Sequence, residues 1–221
     1  MKRKPRHATW EPRTPPTILE RRLAARSRYF SIESLRLRFA NGGEREFERI
    51  GAPDSIGTVI VVAACDSERV LLVREYAVGL GRYEIGLPMG AIEPGESIFE
   101  AAQRELREET GFSARKLQHV TTLSLAPCIL SFRASVVHAS DLVAAQAGGD
   151  EPEAPEVLTV RLQDVEQLIA KGKLTEARSI AALLVTRGLS QPQIDSPQTA
   201  TNLIFESSRV GGVVVCHAEV R

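Results

Sequence analysis

Hydrophobic and polar residues alternate with a period of two from residue 31 to 50, SIESLRLRFANGGEREFERI, where Leu35, Leu37 and Phe39 are interleaved with Arg36 and Arg38. The pattern breaks at Asn41-Gly42 and resumes at Phe47, which predicts an antiparallel hairpin. Two apolar runs follow, IGTVIVVAAC at 56–65 and VLLVREY at 70–76, separated by the polar turn DSER. They predict two strands, the first so uniformly apolar that it belongs in the middle of a sheet. From about 97 to 110 the spacing becomes helical. Strand-like runs return at 115–125, 133–139 and 157–162, and LQDVEQLIAKG and TEARSIAALLVTRGL predict two closing helices, the second with Thr175 as N-cap and Gly188 as its stop. Strands mixed with three helices predict an α/β fold with helices on both faces of a mixed sheet.

These elements divide the chain. Residues 1–16 are basic and Pro-rich, an irregular arm; residues 17–55 form an N-terminal β region too small to bury a core, so it needs the main domain or a second subunit. The main domain runs from 56 to 190. Beyond it, QPQIDSPQTATN reads as a linker and VGGVVVCHAEV as strand-prone, and residues 191–221 receive no functional assignment.

Composition is that of a globular protein, with 43% hydrophobic and 25% charged residues among 221 and a formal net charge of zero. A neutral molecule lacks the overall electrostatic footprint of a nucleic-acid binder. Charge is uneven, however: thirteen Lys/Arg face six Asp/Glu in residues 1–50, whereas 139–160 carries five acids and no basic residue. The basic start MKRKPRH is expected to be a solvated end. Three cysteines, Cys65, Cys128 and Cys216, are far apart and form no CxxC pair, which predicts buried thiols in a reducing compartment. Neither an apolar run of membrane-helix length nor a signal-peptide core is present, and the expected location is the cytoplasm.

The chemistry concentrates in GAIEPGESIFEAAQRELREETGF, residues 90–112. At about 100° per residue, Ile98, Ala102, Glu105 and Glu109 share one stripe, with Ala101 and Leu106 beside it and Arg107 opposite. Two carboxylates thus continue an apolar stripe, where an uncompensated charge costs several kcal/mol. A solvated acidic face with Arg104 bridging Glu108 is one explanation. A shared hard cation, magnesium or manganese, is the other. The preceding turn, with Gly90, Pro94 and Gly95, brings Glu96 to the same end of the helix, where it pairs with Arg104.

The spacing of Gly90, Glu96, Arg104-Glu105-Leu106, Glu108-Glu109 and Gly111-Phe112 resembles the full Nudix box, without departure over its 23 residues. The resemblance implies the Nudix fold, an α/β/α sandwich, and hydrolysis of a nucleoside diphosphate linked to another moiety. It implies Glu105 and Glu109 as the main ligands for Mg2+ or Mn2+, Glu108 as a further ligand or a water contact, the Met89 carbonyl as completing the shell, and Gly90, Glu96, Arg104 and Gly111 as the structural brace. Pro127, 16 positions after Gly111, resembles the marker proline of the ADP-ribose pyrophosphatase subgroup, and is equally a simple strand end. PTILERRLAARSRYFSIESLRLRFANG, VREYAVGLGRYEIGLPMGAIEPGES and KGKLTEARSIAALLV are similar to ADP compounds hydrolases of the NudE type, over roughly residues 16–190.

That similarity implies ADP-ribose, diadenosine polyphosphates or NADH as substrates, AMP as a product, and a homodimer built through the N-terminal strands. It also implies a water-activating base from the acidic loop GGDEPEAPE, with Glu151 and Glu153 as candidates and Gly148 and Gly149 giving the loop freedom. Arg74 is a candidate for a substrate phosphate and Glu84 for the nucleotide, each with a structural ion pair as the alternative. Tyr76 is either a stacking residue or core, and His119 and His138 are expected to be structural. A triphosphate-cleaving Nudix enzyme and a non-catalytic nucleotide-binding module are the competing functions.

Overall fold

The computed structural model describes residues 13–51, 57–146, 148 and 152–187 in full, and the backbone of two further strands at 204–210 and 213–219. The chain divides into two compact units, Met1–Gly188 and Leu189–Arg221. The expected arm before residue 13, the helix stop at Gly188 and the linker after it lie outside the described residues.

Three antiparallel strands open the chain: β1 (Thr17–Arg26), β2 (Ser31–Arg38) and β3 (Glu44–Gly51), in the order β1-β2-β3. The β2–β3 hairpin turns where Asn-Gly predicts it. Asn41 Oδ1 accepts the Gly43 N–H at 3.0 Å, and Gly42 sits at φ +80°, a region that favours glycine. In these strands Ser34 and Leu35 are buried, whereas Ile18, Leu23 and Phe47 stay exposed. The end of β3 is tied to the main domain. Ile50 N–H donates to the Ile129 carbonyl at 2.8 Å, and the Ile50 carbonyl accepts from Ser131 N–H at 3.0 Å.

The main domain contains β4 (Thr58–Ala63), β5 (Arg69–Ala77), β6 (Arg82–Gly86), β7 (Met89–Ala91), α1 (Ile98–Thr110), β8 (Phe112–Ser124), β9 (Arg133–Ala144), β10 (Glu156–Arg161), α2 (Val165–Ala170) and α3 (Ala177–Arg187). One sheet has the order β7-β4-β9-β8, mixed because β4 and β9 run parallel; the other is antiparallel, β10-β5-β6. β4 is central, as its apolar run predicts, and its period of two divides the core. Val59, Val61 and Ala63 pack with Ala101, Ala102 and Leu106 of α1, while Ile60 and Val62 pack with Leu87, Leu174, Ala182 and Leu183 on the α3 side. Helices therefore cover both faces of a mixed sheet. Leu106 is fully buried beside the site acids, and Leu106→Ala is worth about 2–5 kcal/mol of stability.

Several sequence expectations need correction. β6 and β7 escape the pattern because five and three residues carry no readable period. β8 starts at Phe112, directly after the helix, instead of 115. Thr175 does not cap α3: its hydroxyl donates to Glu84 at 2.6 Å, and the Glu176 carboxylate instead accepts from Ser179 N–H at 2.7 Å and Arg178 N–H at 3.2 Å. Cys65 and Cys128 are exposed free thiols, not buried ones, since both fall in turns beyond strand ends. In the second unit, β11 (Ile204–Val210) pairs antiparallel with β12 (Val213–Glu219).

Candidate active site

The site helix begins and ends on local signals. Ser97 and Glu100 form a reciprocal capping box at the start of α1, and Gly111 closes it at φ +73° with its N–H on the Arg107 carbonyl. Gln103 anchors the middle by a two-way amide bond to Ala114 of β8, 2.6 and 3.0 Å. The helix is thus fixed at both ends and along its length against strands.

On this helix Glu105 is 8% exposed, Glu108 and Glu109 half-buried. The stripe predicted from spacing is real, and β7 meets it closely. A Cβ at Gly90 would lie 1.8 Å from Glu105 Oε1, so glycine is required there for the backbone to pass the carboxylate. Glu109 turns to the same strand, accepting the Met89 N–H at 3.3 Å.

Arg104 organises the acids. Its Nε and Nη2 hold both Glu96 oxygens at 3.0 Å, Nη1 donates to Glu105 at 2.7 Å and Glu108 at 3.2 Å, and Nη2 also donates to the Ala91 carbonyl at 2.8 Å. The predicted Glu96–Arg104 pair is a bidentate fork, the strong form of this contact. The fork holds Glu96 below the usual carboxylate range and, through Glu96 first, raises the guanidinium far above its ordinary value. Glu105 moves the other way: desolvation raises it, outweighing Arg104.

Among the described residues no three acidic, histidine or cysteine side chains converge closely enough to hold an ion, and Arg104 Nη1 bridges Glu105 and Glu108. The donor set itself fits a hard divalent cation. Three carboxylates share one helix end, and the buried one is pressed against a backbone that leaves room for nothing larger than glycine.

The remaining candidates separate into two clefts. Arg74, Tyr76, Tyr83, Glu153 and Glu156 line one of about 670 Å³. In it Arg74 is ion-paired with Glu156, and Tyr83 Oη donates to Glu153 at 2.5 Å. Glu84 lines a second cleft of about 340 Å³ that reaches Met89, and is held by Arg82 at 2.5 Å and by the Thr175 hydroxyl. The alternative of a structural ion pair therefore holds for both Arg74 and Glu84 in this arrangement. Pro127 sits exposed in the turn between β8 and β9 and lines neither cleft, while Glu151 lies outside the described residues. Tyr76 is exposed, so it is not core.

Ser179 has no signal in the sequence. Fully buried, its Oγ accepts the Leu87 N–H at 2.8 Å and donates to Glu176 at 2.8 Å, which ties the first turn of α3 to the chain two residues before Met89. Burial first pushes Glu176 up, yet its bonds to Arg178 and Ser179 leave it lowered. A small polar residue in a helix has no distinguishing period, and its partner is 92 positions away.

Comparison with known proteins agrees with this architecture. The NUDIX domain model matches residues 55–183, and the model of the NudE-type Nudix hydrolase N-terminal domain matches residues 16–49. The chain is 42% identical to ADP compounds hydrolase NudE of Escherichia coli strain K12, over 78% of its length and 91% of that protein. It is 30% identical to ADP-ribose pyrophosphatase of Bacillus subtilis strain 168, over 75% of its length and 91% of that protein. A crystal structure of ADP compounds hydrolase superposes with a TM-score of 0.73 at 39% identity, covering 81% of this chain and 96% of that one. With its box helix, its mixed sheet between helices and its NudE-type N-terminal strands, the chain belongs to the Nudix hydrolases.

Proposed function

We propose that this enzyme hydrolyses the pyrophosphate bond of ADP-linked compounds such as ADP-ribose, diadenosine polyphosphates and NADH, releasing AMP and the other monophosphate. The observation that carries the reading is the buried Glu105 set against Gly90, on a helix whose Glu96–Arg104 brace is intact. Support for the substrate class comes from relatives named ADP compounds hydrolase and ADP-ribose pyrophosphatase, matched over nine-tenths of their length.

Nudix hydrolases generally use a divalent metal; here Glu105, Glu108, Glu109 and the Met89 carbonyl would hold Mg2+ or Mn2+, supplying charge neutralisation at the pyrophosphate and a more acidic water. Gly90 leaves space for the acids, Arg104 keeps them aligned with the loop, and Gly111 ends the helix directly after them. Of the two candidates in the acidic stretch after β9, Glu151 is assigned to take the proton from the attacking water, because Glu153 is already held by the Tyr83 hydroxyl in the larger cleft. Arg74 and Glu84, each lining one of the two clefts, are assigned to substrate contacts, Arg74 being shared with Glu156 in the larger one; Pro127 lines neither cleft and receives no such assignment.

We further assign a homodimer, supported by Ile18, Leu23 and Phe47, which the N-terminal sheet leaves exposed. A cytoplasmic location is supported by two free exposed thiols; among the described residues no helix is long and apolar enough to cross a membrane.

The test is incubation with ADP-ribose and Mg2+, with AMP separated by chromatography. AMP formation that falls by orders of magnitude in Glu109→Gln supports the reading. Inertness toward ADP-ribose with cleavage of nucleoside triphosphates, or binding without turnover, refutes it.

A further inference from the structure

The larger cleft contains a feature that neither metal chemistry nor the core uses. Tyr76 and Tyr83 are directly opposite in the β5–β6 ladder, with ring centroids 5.5 Å apart and planes at 75°, an edge-to-face pair. A buried pair of this kind is a packing device, but here the residues are 54% and 53% exposed. At about 670 Å³ the cleft they line has the size of a small-molecule site.

Charge narrows the occupant. Glu75, Glu153 and Glu156 line the cleft against Arg74, whose guanidinium is already paired with Glu156. Three acids against one paired arginine favour an uncharged or cationic ring that donates hydrogen bonds. Glu153 is fixed in place by the Tyr83 hydroxyl, and a carboxylate retains acceptor capacity beyond one such bond. Glu153, first through that hydrogen bond, raises the Tyr83 phenol, which keeps the donor protonated at neutral pH. The cleft is also near the chemistry. Tyr83 precedes Met89 by six residues, a reach of at most about 20 Å, and Glu75 lines both this cleft and the one that extends to Met89.

We propose that Tyr76 and Tyr83 seat the planar base of the substrate, and that Glu153 accepts a hydrogen bond from its exocyclic amino or amide group. The proposal rests on the hydrolase reading above and names where one end of that substrate lies. Adenine and nicotinamide share this chemistry.

Calorimetric titration with AMP, nicotinamide mononucleotide and ribose 5-phosphate tests it without requiring turnover. Tyr76→Ala is expected to weaken AMP or nicotinamide mononucleotide about five- to a hundredfold, the range of base–aromatic stacking, and to leave ribose 5-phosphate within twofold. Whichever mononucleotide shows the loss identifies the ring. Tyr76→Phe keeps the ring and is expected to bind like wild type, which separates lost stacking from lost folding. Tyr83→Phe, which frees Glu153, is expected to raise KM several-fold while kcat moves less than about threefold. Equal weakening of ribose 5-phosphate, unchanged binding of both mononucleotides, or a smaller mass by light scattering for Tyr76→Ala, meaning that the cleft is covered by a second copy, overturns it. If ADP-ribose is not cleaved at all, the hydrolase reading fails on its own while these binding constants still report on the cleft.

Discussion

Replacing Arg104 by methionine removes the group that five hydrogen bonds converge on: two to Glu96 at 3.0 Å, one each to Glu105 at 2.7 Å and Glu108 at 3.2 Å, and one to the Ala91 carbonyl at 2.8 Å. The side chains involved are 20% exposed for Arg104, 14% for Glu96, 10% for Glu105 and 26% for Glu108, so water compensates the loss only in part. Removing one partner of a buried pair costs about 3–5 kcal/mol, and the partial exposure sets the expectation at the lower end, about 3 kcal/mol. For a chain above 150 residues that is a Tm decrease of about 6–12 °C. The decrease is expected to shrink to less than half in saturating Mg2+, because Glu105 and Glu108 then have a second cation to face, while Arg104→Lys should fall between wild type and Arg104→Met. Thermal melts in EDTA and in MgCl2 measure this. A decrease below about 3 °C, or one of equal size in both buffers, refutes the idea that Arg104 compensates the acids.

Gly90→Ala is expected to displace the Glu105 carboxylate, since the new Cβ would stand 1.8 Å from it; a melt should show about 1–3 kcal/mol lost and an AMP-release assay at least a tenfold lower kcat. Ser179→Ala leaves the buried Leu87 N–H without its acceptor, and a loss of about 1–3 kcal/mol by urea unfolding is expected; no loss would show that the α3 tie is dispensable. For pH, Glu96 and Glu176 lie below their ordinary values, so the stability they confer is complete above about pH 4.5 and is lost as pH falls through their folded values. Glu105 lies above its ordinary value and contributes oppositely, its ionised form being the unfavourable one. Glu105→Gln is therefore expected to raise the Tm at pH 7 in EDTA while eliminating activity, and a lowered Tm there would contradict the burial argument.

The site was legible where its residues are consecutive. Glu96, Arg104, Glu105, Glu108 and Glu109 lie within a turn and one helix, so helical geometry sets the three acids of its second half close together and the Arg104 side chain links them to Glu96. The central position of β4 was equally plain, because a strand buried on both faces has no polar residue to place. What could not be read depends on distant pairs. Tyr83 and Glu153 are 70 positions apart, and Leu87 and Ser179 are 92 apart; neither pair has a period or a motif. Thr175 misled because Ser, Thr and Asp cap helices by default, and only the position of β6 shows that Glu84 takes its hydroxyl instead. The cysteines misled because burial is a tendency of the residue type, while both lie where strands give way to turns.

The central claim is that Glu105 and Glu109 form one cation site against β7. A crystal grown with Mn2+ tests it through the anomalous difference map. The account predicts a peak in coordinating contact with both carboxylates, with Glu108 drawn away from Arg104. A map with no peak at the helix, in crystals of protein that still releases AMP from ADP-ribose, would contradict it.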